Sequence, residues 1–223
     1  MARISTAERR TELVDAAVQV IATHGVDGAT TRRIADAAGA PLATLHYCYE
    51  SKELLFAAVF DRVAREYREV LARSDVHSDL ATTARGLLQG VMAWYLESSA
   101  FASTIIELIS WAQRQERKPA TFVYNEAFAV MRRILGAANS DISVDAETID
   151  EIAYAITSLS DGFALAWLTF GDRAESAAQA KITVGIFDAW LATKLGPTEQ
   201  EGTTETVAEP PTVRSLMSWM SAG

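Results

Sequence analysis

An all-α fold is what this sequence predicts, on three observations. Apolar residues recur at i, i+3, i+4 and i+7 along most of its 223 residues. Capping residues and glycines stand where such helices would start and stop. No run of alternating apolar and polar residues leads through a hairpin turn into another. The pattern divides into about nine helices.

The first helix opens at Ser5-x-x-Glu8, a capping box in which the serine accepts a free amide and the glutamate reaches back. Leu13, Ala16, Ala17, Val20 and Ile21 form its apolar stripe. Gly25 stands where a left-handed residue would end it. Thr30 or Thr31 caps a second helix, with Ile34, Ala35 and Ala38 facing inward and Gly39 ending it. Pro41 suits the first turn of a short third helix over 41–48, because its fixed φ is helical and its missing amide proton is no loss there. Ser51 caps a long fourth helix with Leu54, Leu55, Ala58, Val59 and Val63 on one stripe. Five more helices follow over 79–98, 101–116, 120–137, 146–170 and 174–195, and Gly196-Pro197 ends the last.

Residues 197–212, "PTEQEGTTETVAEPPT", are polar, acidic and proline-bearing, which is the composition of a disordered tail. The final "VRSLMSWM", 213–220, is either apolar enough to dock or an accidental patch. The single cysteine excludes an intrachain disulfide, and no apolar leader or convincing membrane span is present, so a cytoplasmic location is expected. The net charge of −9 is unevenly placed. Residues 1–73 hold ten Arg/Lys against ten Asp/Glu, and the remainder ten against nineteen. Acidity argues against a nucleic-acid partner, but only the contacting face has to be basic, and the neutral third is the N-terminal one.

Helix, glycine-bearing turn, short helix is the helix-turn-helix arrangement, whose second helix enters the major groove. Leu45 serves as an anchor, and Thr44, His46 and Tyr47 as an outward polar face. The stretch "TTRRIADAAGAPLATLHYCYESKELLFAAVF" is more specific. Thr-Thr-x-x-Ile-Ala precedes Ala-Gly, followed by Thr-Leu-aromatic-Tyr-x-aromatic and Ser-Lys-Glu-x-Leu. It resembles the DNA-binding region of the tetracycline-repressor (TetR) family of transcriptional regulators, closely over residues 8–63 and elsewhere only in overall plan.

The resemblance implies a three-helix helix-turn-helix DNA-binding domain over 1–52. A helical ligand-binding and dimerisation body over 53–196 would follow, with 53–73 as the connecting helix. It implies a DNA-binding surface of Thr31, Arg32, Pro41, Leu42, Thr44, His46, Tyr47 and Lys52. Thr31, Arg32, Tyr47 and Lys52 would meet phosphate, and Thr44 base edges or phosphate. Leu42 could touch a thymine methyl. His46, Cys48, Pro41 and Leu42 depart from the family's commonest residues and bear on which operator is read. Arg9 and Arg10 either reach DNA from the first helix or occupy a solvated face.

In the body, Met92, Trp94, Tyr95, Trp111, Phe128, Asp161 and Trp167 are candidates to line an effector cavity, against the plainer reading of core packing, and a carboxylate such as Asp161 could orient a ligand there. Glu107 falls on an exposed stripe with Ser103, Ser110 and Arg114. Asp161 lies deeper in its apolar run and would need a hydrogen-bond partner if buried. The histidines and Cys48 have no metal-ligand spacing, no cofactor is expected, and no glycine-rich phosphate loop, nucleophile elbow or Cys-x-x-Cys occurs, so an enzyme is not expected. Small residues (Ala153, Ala155, Ser158, Gly162 and Ala166; Ala177, Ala178, Ala180, Gly185 and Ala189) suit close pairing of the last two helices in a homodimer. The expected partners are an operator duplex, a hydrophobic or aromatic small molecule and a second copy of the chain, with no membrane. Two alternatives are a regulator switched by a partner protein and a helical scaffold that binds no DNA.

Overall fold

The computed structural model describes residues 5–73, 79–114, 120–138, 144–171 and 173–196. The described residues form nine helices and no strand: α1 (Thr6–Gly28), α2 (Thr31–Ala37), α3 (Leu42–Cys48), α4 (Lys52–Arg73), α5 (Leu80–Glu97), α6 (Ser99–Gln113), α7 (Ala120–Ala138), α8 (Ala146–Phe170) and α9 (Arg173–Leu195). The tail, including 213–220, lies outside the described residues, as do the connections between several helices.

The starts follow from side-chain caps. Ser5 accepts the Glu8 amide at 3.2 Å while Glu8 accepts that of Ser5 at 2.8 Å. Thr30, not Thr31, caps α2 through the Arg33 amide, and Ser51, Asp79 and Asp145 cap α4, α5 and α8 in the same way. Pro41 sits one residue earlier than expected, as the N-cap of α3. Gly25 takes φ +67° and kinks the end of α1, and Gly39 takes φ +60° between α2 and α3.

The core is continuous through reader and body. Leu13, Ala17 and Ile21 of α1, Leu55 and Val59 of α4, and Leu87, Leu88 and Val91 of α5 are fully enclosed. α1 packs chiefly on α6, where the Thr104 hydroxyl donates to the buried Val18 carbonyl at 2.9 Å. α4 reaches from one part to the other. Arg62 pairs with Asp15 of α1, and farther along Tyr67 meets Trp94 of α5 edge-on.

Two expectations about faces are corrected. Leu54 is 53 % exposed, because the inward stripe of α4 is centred on Leu55, Val59 and Val63 and Leu54 falls beside it. Ala153 is enclosed within its own protomer, between Ile152 and Ile156 on the inward face of α8, and is closed to a second chain.

Candidate nucleic-acid interface and body cavity

Two of the seven residues of α3 hold it to the molecule. Leu45 and Cys48 are buried, a spacing that puts both on one side of the helix. The opposite side is left to His46 and Tyr47, both exposed, with the Tyr47 phenol 77 % accessible. Thr44 is half-buried beside them, and Pro41 is exposed at the entry to the helix. On α2, Ile34 and Ala35 face the core, while Thr31 and Arg32 stand in the first turn, Thr31 half-buried and Arg32 exposed. Six of the expected contact residues are thus on or beside one helix pair and reachable from outside.

The other two behave differently. Leu42 is partly buried and packs against the core, which limits what it can offer a base. Lys52 is half-buried: its ammonium lies 3.5 Å from the Val26 carbonyl oxygen and 4.8 Å over the Phe56 ring. A cation held between a carbonyl and an aromatic face is engaged within the chain, so we do not assign it a phosphate.

Arg10, though exposed, is also engaged within the chain. Its guanidinium donates twice to the Cys48 carbonyl, at 3.1 and 2.8 Å, and lies 5.3 Å from the Tyr49 ring centre. It therefore caps the C-terminus of α3, where carbonyls lack helical partners and the dipole favours a cation. Tyr49 is 8 % exposed and its hydroxyl donates to the Arg10 carbonyl at 3.4 Å, so of the two phenols only Tyr47 is displayed. Arg9 pairs with Glu12 on the same helix.

The turn between α1 and α2 is gripped by the body. The Val26 amide donates to Glu107 Oε2 of α6 at 3.3 Å, and the Val26 carbonyl accepts from Lys52 of α4. Glu107 is half-buried here, not on the exposed stripe expected for it. Gly25 is required by its positive φ, and a Cβ there would lie 3.0 Å from Glu107 Oε2, so that carboxylate would also have to shift.

Inside the body, Asp161 of α8 is the polar centre. Tyr124 of α7 donates to its Oδ2 at 2.7 Å and Tyr95 of α5 to its Oδ1 at 3.3 Å. Tyr67 of α4 is buried next to it with Ser160 alongside. These residues, with Ile105, Ile109, Ala127 and Thr157, enclose a cavity of about 20 Å³. Burial pushes the Asp161 carboxyl above the usual range against the pull of both phenol bonds, and burial followed by the Asp161 charge pushes the Tyr124 phenol up.

Residues 13–59 match the family described as "Bacterial regulatory proteins, tetR family", a stretch from within α1, through α2 and α3, into α4. Over these residues the chain is similar to the TetR family. That family is one of regulatory proteins, not of enzymes. The chain is 34 % identical over 113 residues to the "HTH-type nicotine-responsive transcriptional repressor HdnoR" of Paenarthrobacter nicotinovorans, covering 50 % of this chain and 58 % of that one. It is 38 % identical over 68 residues to the "HTH-type transcriptional repressor KstR2" of Rhodococcus jostii, covering 29 % and 33 %. The chain thus spans little more than half the length of the first and a third of the second. A transcriptional regulator of Rhodococcus sp. Rha1 superposes with a TM-score of 0.69 at 16 % identity, covering 84 % of this chain and 99 % of that one, which is a likeness of fold.

Within the body, the structure brings Tyr95 and Asp161 together. Trp94 lies against Tyr95 at 5.3 Å and Phe128 stacks on Tyr124 at 6.4 Å, both behind the cavity wall. Met92 borders a separate cleft between α5 and α9, Trp111 packs edge-on against Phe56 of α4, and Trp167 lies apart near the end of α8. The sequence pattern left Tyr124 undistinguished among the body's aromatics and passed over Tyr67 as a lining residue. The available signal was weak: Tyr67 continues the stripe Phe56, Phe60, Val63 with a hydroxyl where the others have none.

Proposed function

We propose that this chain is a DNA-binding transcriptional repressor that holds a palindromic operator as a homodimer and leaves it when the body takes up a hydrophobic or aromatic small molecule. The observation that carries the reading is the display of Tyr47, His46, Arg32 and Thr31 on one exposed face whose underside is anchored by Leu45 and Cys48. Hydroxyls, an imidazole, a guanidinium and the start of a helix are the partners phosphates and base edges take, and they are compatible with an acidic whole.

The homodimer is supported by large apolar side chains that stand exposed on the last two helices. Tyr154 and Leu165 of α8, and Ile182 and Ile186 of α9, are all more than half exposed. The α9 pair lies one turn apart, with Ala178 a further turn back, so one stripe faces outward. Twofold pairing there would set two copies of α3 about one helical turn of DNA apart or somewhat more. The relative that is nicotine-responsive makes nicotine the first effector to assay.

The test is a gel-shift titration at physiological salt with the duplex upstream of the chain's own coding sequence, joined to sedimentation of free and bound protein. The expected result is two protomers per palindrome, and Tyr47→Ala weakening binding roughly tenfold or more, about 1.5 kcal/mol, through loss of a hydrogen bond to a charged phosphate. Unchanged retention of Tyr47→Ala, or a wild-type monomer at micromolar concentration, would overturn the reading.

A further inference from the structure

Asp161 costs the fold something that its apparent task does not require. A carboxylate withdrawn from water is destabilising unless paired, and breaking it free of water is repaid only by strong partners. Among the described residues no Lys or Arg pairs with it. Its hydrogen bonds come from two neutral phenols. If its role were only to tie α8 to α5 and α7, asparagine would serve, accepting from one phenol and donating to the other with no charge to bury.

From this geometry we propose that Asp161, with Tyr95 and Tyr124, is the recognition site for the ammonium group of an amine effector, and that the apolar wall formed by Ile105, Ile109 and Ala127 receives its carbon skeleton. The inference rests on the reading of the body as an effector-binding module and names the chemistry of that effector.

Each carboxylate oxygen has two lone pairs and receives one bond in the structure, so each can accept another. An ammonium supplies up to three donors. Each phenol gives its one proton to Asp161 and keeps oxygen lone pairs for the same cation. Tyr67, Tyr95 and Tyr124 also line the cavity at this position. The surroundings oppose other classes. An anion would meet a buried negative charge, and a neutral molecule would leave that charge uncompensated.

The cavity of about 20 Å³ admits a single water, so an organic amine must part its walls. Two of those walls, Ile105 and Ile109, stand on α6, the helix whose Thr104 and Glu107 hold α1 and the α1–α2 turn. Filling the cavity therefore loads the element that positions the reader.

The pH behaviour follows from the same residues. The titratable groups around Asp161 are Tyr67 of α4, Tyr95 of α5 and Tyr124 of α7, all pushed up by burial and so neutral at physiological pH; α6 contributes only Ile105 and Ile109 to the wall. Because the folded Asp161 carboxyl is raised above its ordinary value, the folded state binds its proton better than the unfolded state does. Its ionisation therefore destabilises the fold at neutral pH, and that penalty disappears as pH falls through the raised value towards the ordinary one.

Three size-matched probes test the site on the full chain at pH 7.5: benzylamine, benzyl alcohol and benzoate, titrated calorimetrically and by the fluorescence of Trp94 beside Tyr95. Benzylamine should bind at least tenfold tighter than benzyl alcohol, benzoate should not bind, and Asp161→Asn should remove the amine preference. Asp161→Asn should also melt above the wild type at pH 7.5, by a margin that narrows towards pH 4. Equal binding of amine and alcohol, no amine binding at millimolar concentration, a preference that survives Asp161→Asn, or a variant that melts below the wild type at pH 7.5 each overturns the assignment. Gel shifts of wild type without amine keep the two readings separable. DNA retention with no amine preference sinks only the amine site, whereas no retention sinks the regulator.

Discussion

On α3 the polar side chains of His46 and Tyr47 point to solvent while Leu45 and Cys48 point in; on α8 Asp161 points in while Tyr154 and Leu165 point out. The first arrangement is the ordinary one for a surface helix and stabilises an isolated protomer. The second is inverted at both positions, and each inversion costs stability in a lone chain. An apolar stripe in water is relieved by a second apolar surface, and a carboxylate in the core by a cation. The displayed face of α3 is stable as it stands, and in the proposed reading it meets DNA. The body carries two unmet requirements, which is the condition under which binding something can shift its structure.

The largest way to break that contrast is to remove the anchor of the reader. Leu45 is 1 % exposed, and Leu45→Ala should destabilise by about 2–5 kcal/mol through lost burial and the void left behind. Thermal denaturation should show the loss, and operator binding should fall with it. Wild-type affinity for DNA in a folded Leu45→Ala protein would mean that α3 is not the reading helix.

The two sites were unequally legible in the sequence for a physical reason. The reader is local: caps, turn glycines and helix spacing within residues 5–52 determine it, and Ser5, Glu8, Thr30, Gly39, Leu45 and Tyr47 all do what their neighbours in sequence require. What the sequence did not disclose there are long-range partners. Arg10 caps a helix 38 residues away, and Lys52 reaches back across 26 residues to the Val26 carbonyl. The body cavity draws on α4, α5, α6, α7 and α8 at once, and no spacing along one helix reveals that Tyr67, Tyr95 and Tyr124 converge on Asp161. Only Asp161 announced itself, as a charge inside an apolar run.

Arg10 sharpens the comparison, because it tests whether the reader depends on being held still as well as on what it displays. Arg10→Ala removes both bonds to the Cys48 carbonyl and should cost about 1 kcal/mol of stability. Operator affinity should drop, since the C-terminal turn of α3 loses its tie to α1. The dependence of that affinity on salt should stay that of the wild type, because the Arg10 guanidinium is engaged by the Cys48 carbonyl and the Tyr49 ring rather than by a phosphate. A slope reduced by about one unit would make Arg10 a phosphate contact instead.

The smallest expected effect lies where the two regions meet. Glu107 of α6 accepts the Val26 amide in the turn that Gly25 opens, so it links the helix lining the Asp161 cavity to the start of the reader. Glu107→Gln keeps an acceptor at the same reach and removes the charge, which should roughly halve the strength of the bond. A loss of about 0.5–1 kcal/mol follows, a shift of a few degrees at most in a chain of this size. DNA affinity without effector should change little, because the turn keeps its Lys52 partner and its packing. The informative measurement is hydrogen exchange at the Val26 amide. It should be protected in the wild type, somewhat faster in Glu107→Gln, and faster again in Glu107→Ala, where no acceptor remains. If Val26 exchanges at the same rate in all three, the amide is sheltered by burial alone, and the route from cavity to reader must run through Thr104 and the packing of α6 on α1.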